Sequence, residues 1–170
     1  MKKLQAMALI AAASLAVAGC SKKPPENIPA PEGSDGAGTG TGADTGIPGG
    51  PGSQADFLSK ISSDRIYFDL DRFDVDGADR TILESQAAWL RQYPNVRVTI
   101  EGHADERGTR EYNIALGERR ANSAKNYLAS LGIDPGRIMV VSYGKERPEA
   151  LGSNQEAWAR NRRAVTVTVQ

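Results

Sequence analysis

The spacing of apolar and polar residues predicts a sheet of four strands with two long helices. Val96, Val98 and Ile100 alternate with polar neighbours, which is the two-residue period of a half-buried strand. Similar short runs predict three more strands, at 65–69, 137–143 and 165–169. Longer segments with three- to four-residue spacing predict amphipathic helices at 76–94 and 112–131, and a short helix is expected at 154–160.

The order of these elements predicts the fold class. Helical connections follow the first two strands, and a long helical connection implies a parallel crossover. Both helices are then expected on one face of a mixed four-stranded sheet. The fold class is therefore an α/β (α+β) sandwich of roughly 115 residues, which is long enough to fold alone.

The second long helix carries an arginine where an aliphatic side chain is expected. On a helical wheel Arg120 lies about 80° from Tyr112, inside the apolar stripe, and Asn113 lies close to it. A buried unpaired charge is costly, so Arg120 needs an anionic partner, and Asp105 on the preceding loop is the candidate. Two interpretations stay open: a direct Asp105–Arg120 ion pair, or two charges held apart that share a ligand with an ammonium and a carboxylate.

The first 19 residues are typical of an export signal. Two lysines precede an apolar, alanine-rich run at 4–17 that is too short to span a membrane stably. The small residues before Cys20 resemble the bacterial lipobox, in which the signal is removed and the cysteine thiol carries lipid. By that resemblance Cys20 anchors the chain, and Ser21 after it implies the outer membrane, with the protein facing the periplasm.

Residues 20–55 have the composition of a disordered tether. Half of the chain's 18 glycines lie between Gly33 and Gly52, and large apolar side chains are nearly absent. Such a segment cannot offset its ordering entropy. The formal net charge of zero also argues against nucleic acid as a partner, because nucleic-acid binding normally requires a basic face.

Several spaced motifs resemble the family of OmpA-like peptidoglycan-binding domains. They are IYFDLD at 66–71, EGHADERG at 101–108, LGERRA at 116–121, VSYGKERP at 141–148 and NRR at 161–163. The resemblance covers about 57–170 and makes 56–170 the folded domain. Among the family's members the likeness is to outer-membrane lipoproteins of the Tol system.

The resemblance implies a ligand and a set of site residues. The ligand is the meso-diaminopimelate of a peptidoglycan stem peptide, with Asp105 receiving its ammonium and Arg120 its carboxylate. Asn113 would complete the hydrogen bonds, and Arg162 would either brace the site from the last strand or form a structural ion pair. Phe68 and Asp69, at the end of the first strand, would form a wall.

The resemblance also implies partners and no catalysis. The partners are the peptidoglycan stem peptide, outer-membrane lipid through acylated Cys20, and TolB with other Tol proteins. A wall-binding lipoprotein without a Tol partner is the alternative. We expect no cofactor and no metal, because His103 is the only histidine and has no cysteine beside it. No serine motif of a hydrolase is present, so we expect no enzyme activity.

Overall fold

The computed structural model describes residues 49–169. The strands are β1 (Arg65–Tyr67), β2 (Arg97–His103), β3 (Ile138–Gly144) and β4 (Arg163–Val169). The helices are α1 (Gln54–Lys60), α2 (Gly77–Gln92), α3 (Arg110–Ser130) and α4 (Gln155–Asn161), with one 3₁₀ turn at Pro135–Arg137. The predicted signal, Cys20 and most of the predicted tether lie outside the described residues. Within 49–169, every helix is too short or too polar to cross a lipid bilayer.

The four strands form one mixed sheet in the order β1-β4-β2-β3. Strand β4 is antiparallel to both β1 and β2, whereas β2 and β3 are parallel. Strands β1 and β2 therefore run in the same direction with β4 between them. The predicted parallel crossovers through the two long helices are confirmed, and so is the mixed sheet.

Both long helices pack on the same face of this sheet. The hydroxyl of Thr166 on β4 donates to Gln86 Oε1 of α2 at 2.8 Å. Gly102 on β2 lies against Gly117 of α3. Gly102 pairs with Ala164, two residues from Thr166, so both positions face the same side. The core fills the space between sheet and helices with buried apolar side chains, among them Leu83, Leu90, Val98, Ile100, Leu128 and Ile138.

The start of α2 fixes the loop that leads into the site. The Asp76 carboxylate caps the helix by accepting from the backbone N–H of Asp79, and the Asp79 carboxylate accepts from the backbone N–H of Asp76. This reciprocal pair is a capping box, which satisfies two N–H groups that the helix cannot pair internally. The predicted helix start at Asp76 is confirmed.

Helix α1 was not predicted from the sequence, and its first two residues overlap the segment interpreted as tether. Ser53 caps it, and Phe57 is fully buried against Trp89 with a centroid distance of 4.9 Å. Gln54 Oε1 also accepts from the backbone N–H of Thr168 at 2.7 Å. A seven-residue helix with one buried residue has too few apolar positions to show a period.

Strand β2 continues three residues beyond the predicted end at Ile100. The extension contains Gly102, where α3 approaches so closely that there is no room for a side chain. As a result, the loop carrying Asp105 starts at the edge of the sheet, beside the N-terminal half of α3.

Candidate functional site

A pocket of about 320 Å³ opens at the edge of the sheet where β1 and β2 end. Its walls come from the loop after β1, the loop after β2, the first turns of α3 and the residue preceding β4. The charged and polar residues that line it are Asp71, Asp105, Arg107, Tyr112, Asn113, Arg120 and Arg162. Of the six predicted ligand residues, four line this pocket: Asp105, Asn113, Arg120 and Arg162.

Arg120 lies at the bottom of the pocket and is fully buried. Its guanidinium donates to three backbone carbonyls, those of Arg72 at 2.8 Å, His103 at 2.8 Å and Asp69 at 3.0 Å. It also lies 5.2 Å from the ring centroid of Phe68. The predicted inward orientation of Arg120 is confirmed, and this side chain ties together the loops that follow β1 and β2.

The acceptors around Arg120 are neutral, so among residues 49–169 no carboxylate neutralises its charge by direct contact. Burial, and then the nearby charge of Arg162, lower the pKa of Arg120 to about 10. The group is still protonated at neutral pH. Three of its five N–H bonds donate to these carbonyls. Among the described residues the other two N–H bonds make no hydrogen bond, so they remain for a further acceptor. A carboxylate entering the pocket is the acceptor that such a group binds best.

Asp105 is nearly buried and is bound by two other arginines. Arg107 donates to it from Nη2 at 2.6 Å, from Nε at 3.0 Å and from its backbone N–H at 3.1 Å. Arg162 Nη1 lies 3.5 Å away. Burial alone would raise the pKa of the Asp105 carboxyl, but the hydrogen bonds and charge of Arg107 outweigh it and hold the pKa below its usual value. Asp105 is therefore ionised.

The direct Asp105–Arg120 ion pair, one of the two interpretations from the sequence, does not form in the described part of the chain. Both groups instead line the same pocket with different partners. The physical reason is that backbone carbonyls hold Arg120 at the bottom while Arg107 holds Asp105 at the side. The sequence predicted that Asp105 and Arg120 lie close to each other but did not indicate which partners each one has.

Of the other four predicted residues, two line the pocket that contains Asp105 and two do not. Asn113 is buried, and its amide donates to the carbonyl of Arg107 at 2.8 Å, so it orders the loop. Arg162 Nε donates to the carbonyl of Phe68 at 2.8 Å. Phe68 and Asp69 line a neighbouring pocket of about 440 Å³, not the one that contains Asp105. The two pockets meet at Arg162.

Several site residues were not singled out from the sequence. Arg107 stacks on the ring of Trp158, with 4.1 Å between guanidinium carbon and ring centroid. Tyr112 donates its hydroxyl to Asp71 at 3.1 Å, and Asp71 has a φ of 55°, a left-handed conformation that is uncommon outside glycine. The position of Arg107, two residues after Asp105, could have suggested from the sequence that the two side chains pair. The contact between Arg107 and Trp158 could not have been predicted in this way, because the two residues are far apart in sequence.

The ionisable side chains of the pocket carry a small positive excess. Two aspartates, Asp71 and Asp105, face three arginines, Arg107, Arg120 and Arg162. Charges of both signs line a single opening, and water is partly excluded because the bottom is buried. This arrangement suits a small ligand that has a carboxylate and a cationic group close together.

Comparison with known proteins identifies related sequences. A sequence profile described as the OmpA family matches residues 67–162. A protein of Rhizobium meliloti named peptidoglycan-associated lipoprotein is 49% identical over 91% of this chain and 82% of its own length. A protein of the same name from Brucella melitensis is 49% identical over 91% of this chain and 86% of its own length.

Solved structures share the fold. The peptidoglycan-associated lipoprotein of Burkholderia pseudomallei is 40% identical, covers 66% of this chain and 93% of its own, and superposes with a TM-score of 0.62. The C-terminal domain of Helicobacter pylori MotB is 20% identical, covers 63% of this chain and 84% of its own, and has a TM-score of 0.59. The second similarity concerns the fold alone.

Proposed function

This chain belongs to the OmpA family and, within it, to the peptidoglycan-associated lipoproteins, and from that membership we propose that its folded domain, 56–170, binds peptidoglycan without covalent bonds. The proposed ligand is the free end of meso-diaminopimelate in a stem peptide. One carbon of this group carries both an ammonium and a carboxylate. The observation that carries the proposal is that Asp105 and Arg120 share a pocket without pairing with each other.

In this proposal each charge of the ligand has one main partner. Arg120 binds the carboxylate with the N–H bonds that the three carbonyls leave unused. Asp105 binds the ammonium, and Arg162, which already contacts Asp105, lies beside both. Asn113 contributes indirectly, because its amide fixes the loop between Asp105 and α3. Phe68 contributes through its ring beside Arg120, and Asp69 through its backbone carbonyl.

The mechanism is binding alone. Within the described chain, the pocket is lined by aspartate, arginine, asparagine, tyrosine, leucine and glycine, and serine, cysteine, threonine and lysine nucleophiles are not among them. The hydroxyl of Tyr112 donates to Asp71, and this hydrogen bond together with burial raises the pKa of Tyr112, which disfavours its ionised, nucleophilic form. His103 contributes its backbone carbonyl to Arg120 and is buried behind it. We therefore propose reversible attachment to the wall and no hydrolysis of it.

The remainder of the chain would connect this domain to the outer membrane. We propose that residues 1–19 are a signal peptide, that Cys20 carries the lipid anchor, and that the residues between Cys20 and the N-cap of α1 at Ser53 form a tether in the periplasm. TolB and other Tol proteins are the proposed protein partners. The alternative is a wall-binding lipoprotein without a Tol partner, and co-purification with TolB separates the two.

The test of wall binding is a titration with two stem peptides that differ in one group. The wild-type domain is expected to bind a peptide ending in diaminopimelate at least tenfold more tightly than its lysine counterpart, because lysine lacks the carboxylate that Arg120 binds. Asp105→Asn is expected to weaken binding of the diaminopimelate peptide at least tenfold, since a neutral amide binds an ammonium less well.

The matched control is Glu118→Gln, which removes an acidic charge from the exposed face of α3. This variant should bind as the wild type does. Thermal melts of all three proteins should each show one cooperative transition, because asparagine keeps the size of the Asp105 side chain and its partner Arg107 is partly exposed. Equal affinity of the wild type for the two peptides would refute the assignment of Arg120, and unchanged binding by Asp105→Asn would refute that of Asp105.

A further inference from the structure

The carboxylate assigned to the ligand's ammonium already holds a cation from its own chain. Arg107 makes two side-chain hydrogen bonds and one backbone hydrogen bond to Asp105. A guanidinium and an ammonium compete for the same oxygens, so both cannot occupy Asp105 fully. If the pocket binds a zwitterion as proposed above, then Arg107 has to give way.

The loop backbone around Arg107 is held in place, so the side chain is the part that is free to move. The amide of Asn113 donates to the carbonyl of Arg107 at 2.8 Å. Lys145 Nζ donates to the carbonyls of Glu106 at 3.1 Å and Gly108 at 2.7 Å. Three consecutive carbonyls are thus fixed by side chains from α3 and from the segment after β3. Movement of Arg107 therefore requires rotation of its side chain and no rearrangement of the loop.

A second contact is available for the displaced guanidinium. Arg107 already lies 4.1 Å over the ring of Trp158, whose indole N–H donates to Glu106 Oε1 at 2.9 Å. The Arg107 side chain is 34% exposed, whereas that of Asp105 is 6% exposed. A rotation that releases Asp105 can keep the stacking on Trp158, and the charge of Glu106 lies close by. The displaced cation is thereby neither buried nor unpaired.

The charge balance of the pocket favours the same movement. With Arg107 in place the lining has three arginines and two aspartates. Once Arg107 turns out, Arg120 and Arg162 face Asp71 and Asp105, and the lining is neutral. A zwitterion carries one charge of each sign, so the neutral lining matches the net charge of the ligand.

We propose that Arg107 is a built-in competitor that occupies the ammonium position of the free protein, and that the ligand's ammonium displaces it along the face of Trp158. This inference rests on the proposed function, and it adds a residue that sets both the affinity and the selectivity of the same pocket. A ligand without an ammonium cannot displace Arg107 and leaves Asp105 closed. Arg107 therefore favours ligands that carry a cation over simple carboxylates.

The test is Arg107→Gln titrated with a tripeptide that ends in meso-diaminopimelate. Removing the competitor is expected to tighten binding about three- to tenfold, the range expected when a partly exposed ion pair no longer has to be broken. The matched control is Arg110→Gln, which removes an equally cationic side chain that pairs with Glu146 outside the pocket. Arg110→Gln should bind within a factor of two of the wild type.

A second measurement follows Asp105 directly. Carbon NMR of the free proteins should show the pKa of Asp105 higher in Arg107→Gln than in the wild type, because Arg107 is what lowers it. In the wild type, the Nε resonance of Arg107 should shift on saturation with the tripeptide. The carbon spectrum of Arg107→Gln also shows whether that variant is folded.

The outcomes separate this inference from the proposed function. Binding by the wild type together with equal or weaker binding by Arg107→Gln would contradict competition by Arg107 and would leave the proposal of wall binding intact. Weaker binding by the variant would mean that Arg107 contacts the ligand. Lack of binding by the wild type and by Arg107→Gln would overturn the proposed function itself. An Arg107 resonance that stays fixed through saturation would also contradict displacement.

Discussion

The guanidinium of Arg120 serves both the fold and the site. Its three carbonyl acceptors belong to Asp69, Arg72 and His103, so it joins the loop that follows β1 to the end of β2. Truncation to alanine would remove all three hydrogen bonds, and leaving the buried His103 carbonyl without this donor costs about 1–3 kcal/mol. Loss of wall binding by Arg120→Ala therefore cannot separate a binding role from a structural one, and for this reason the test above uses Asp105 and the lysine peptide.

His103 makes the folded protein sensitive to mild acid. Its side chain is buried, and within the described residues neither ring nitrogen has a hydrogen-bond partner. Burial, followed by the charges of Arg163 and Arg147, lowers the pKa of His103 to about 4. Between pH 6.5 and pH 4 the unfolded chain takes up a proton that the folded chain does not. The free energy of unfolding should therefore fall on acidification, by on the order of 3 kcal/mol at pH 4.

Urea unfolding from pH 7 to pH 4 measures this effect, with His103→Asn as the comparison. The variant should lose most of the pH dependence in that window. Asp105 and Glu149 also have lowered pKa values, but the stability they contribute is lost as the pH falls below their usual values of 3.8 and 4.5, at the acid end of this window and beyond it. A wild-type stability that is flat between pH 6.5 and pH 4 would show that His103 is protonated in the folded state without cost.

At the scale of elements, the contact between Gly102 and Gly117 sets the distance between β2 and α3. A Cβ on Gly102 would overlap the backbone carbonyl of Gly117, which cannot move without shifting the helix. Gly102→Ala is expected to destabilise the domain by about 1–3 kcal/mol, as overpacking does. It should also weaken wall binding, because α3 carries Arg120 and β2 leads to Asp105.

Gly77→Ala is the control for that substitution. Gly77 is the first residue of α2, and a Cβ there meets no atom within 4 Å. Alanine should be neutral or stabilise by up to about 1 kcal/mol, because it restricts the unfolded chain. Chemical denaturation of both variants measures the contrast. Equal stabilities for Gly102→Ala and Gly77→Ala would mean that α3 can move away from β2 at little cost.

The elements also show what could and could not be predicted from the sequence. Periodicity predicted the long helices and the strands where buried apolar side chains recur on one face, as Val98 and Ile100 do in β2. Arg120 stood out because it interrupts such a face in α3. Phe57 in α1 and the extension of β2 to His103 depend on contacts with distant residues, which have no local pattern. The pairing of Asp105 with Arg107 was missed for a related reason. Neighbouring charges in a loop are usually exposed to solvent, and the contact of Arg107 with the distant Trp158 is not visible in the sequence.

At the scale of the whole molecule, the proposal requires two independent attachments in one chain. The lipid is proposed at Cys20 and the wall ligand at the pocket around Asp105. Because a lipid in a bilayer and a zwitterion in a pocket are held by different forces, loss of one attachment should leave the other intact. A protein that needed both for folding, or for a single binding event, would not show this independence.

Cell fractionation of single and double variants tests the independence. Cys20→Ser should lose incorporation of labelled fatty acid and should leave the membrane fraction, yet its purified form should still sediment with peptidoglycan sacculi. Asp105→Asn should show the reverse, with membrane association retained and sedimentation lost. The double variant should neither associate with the membrane nor sediment with sacculi, because one substitution removes the lipid attachment and the other removes the wall attachment. Fatty-acid labelling of Cys20→Ser, or its loss of sacculus binding, would contradict an arrangement in which lipid and pocket act separately.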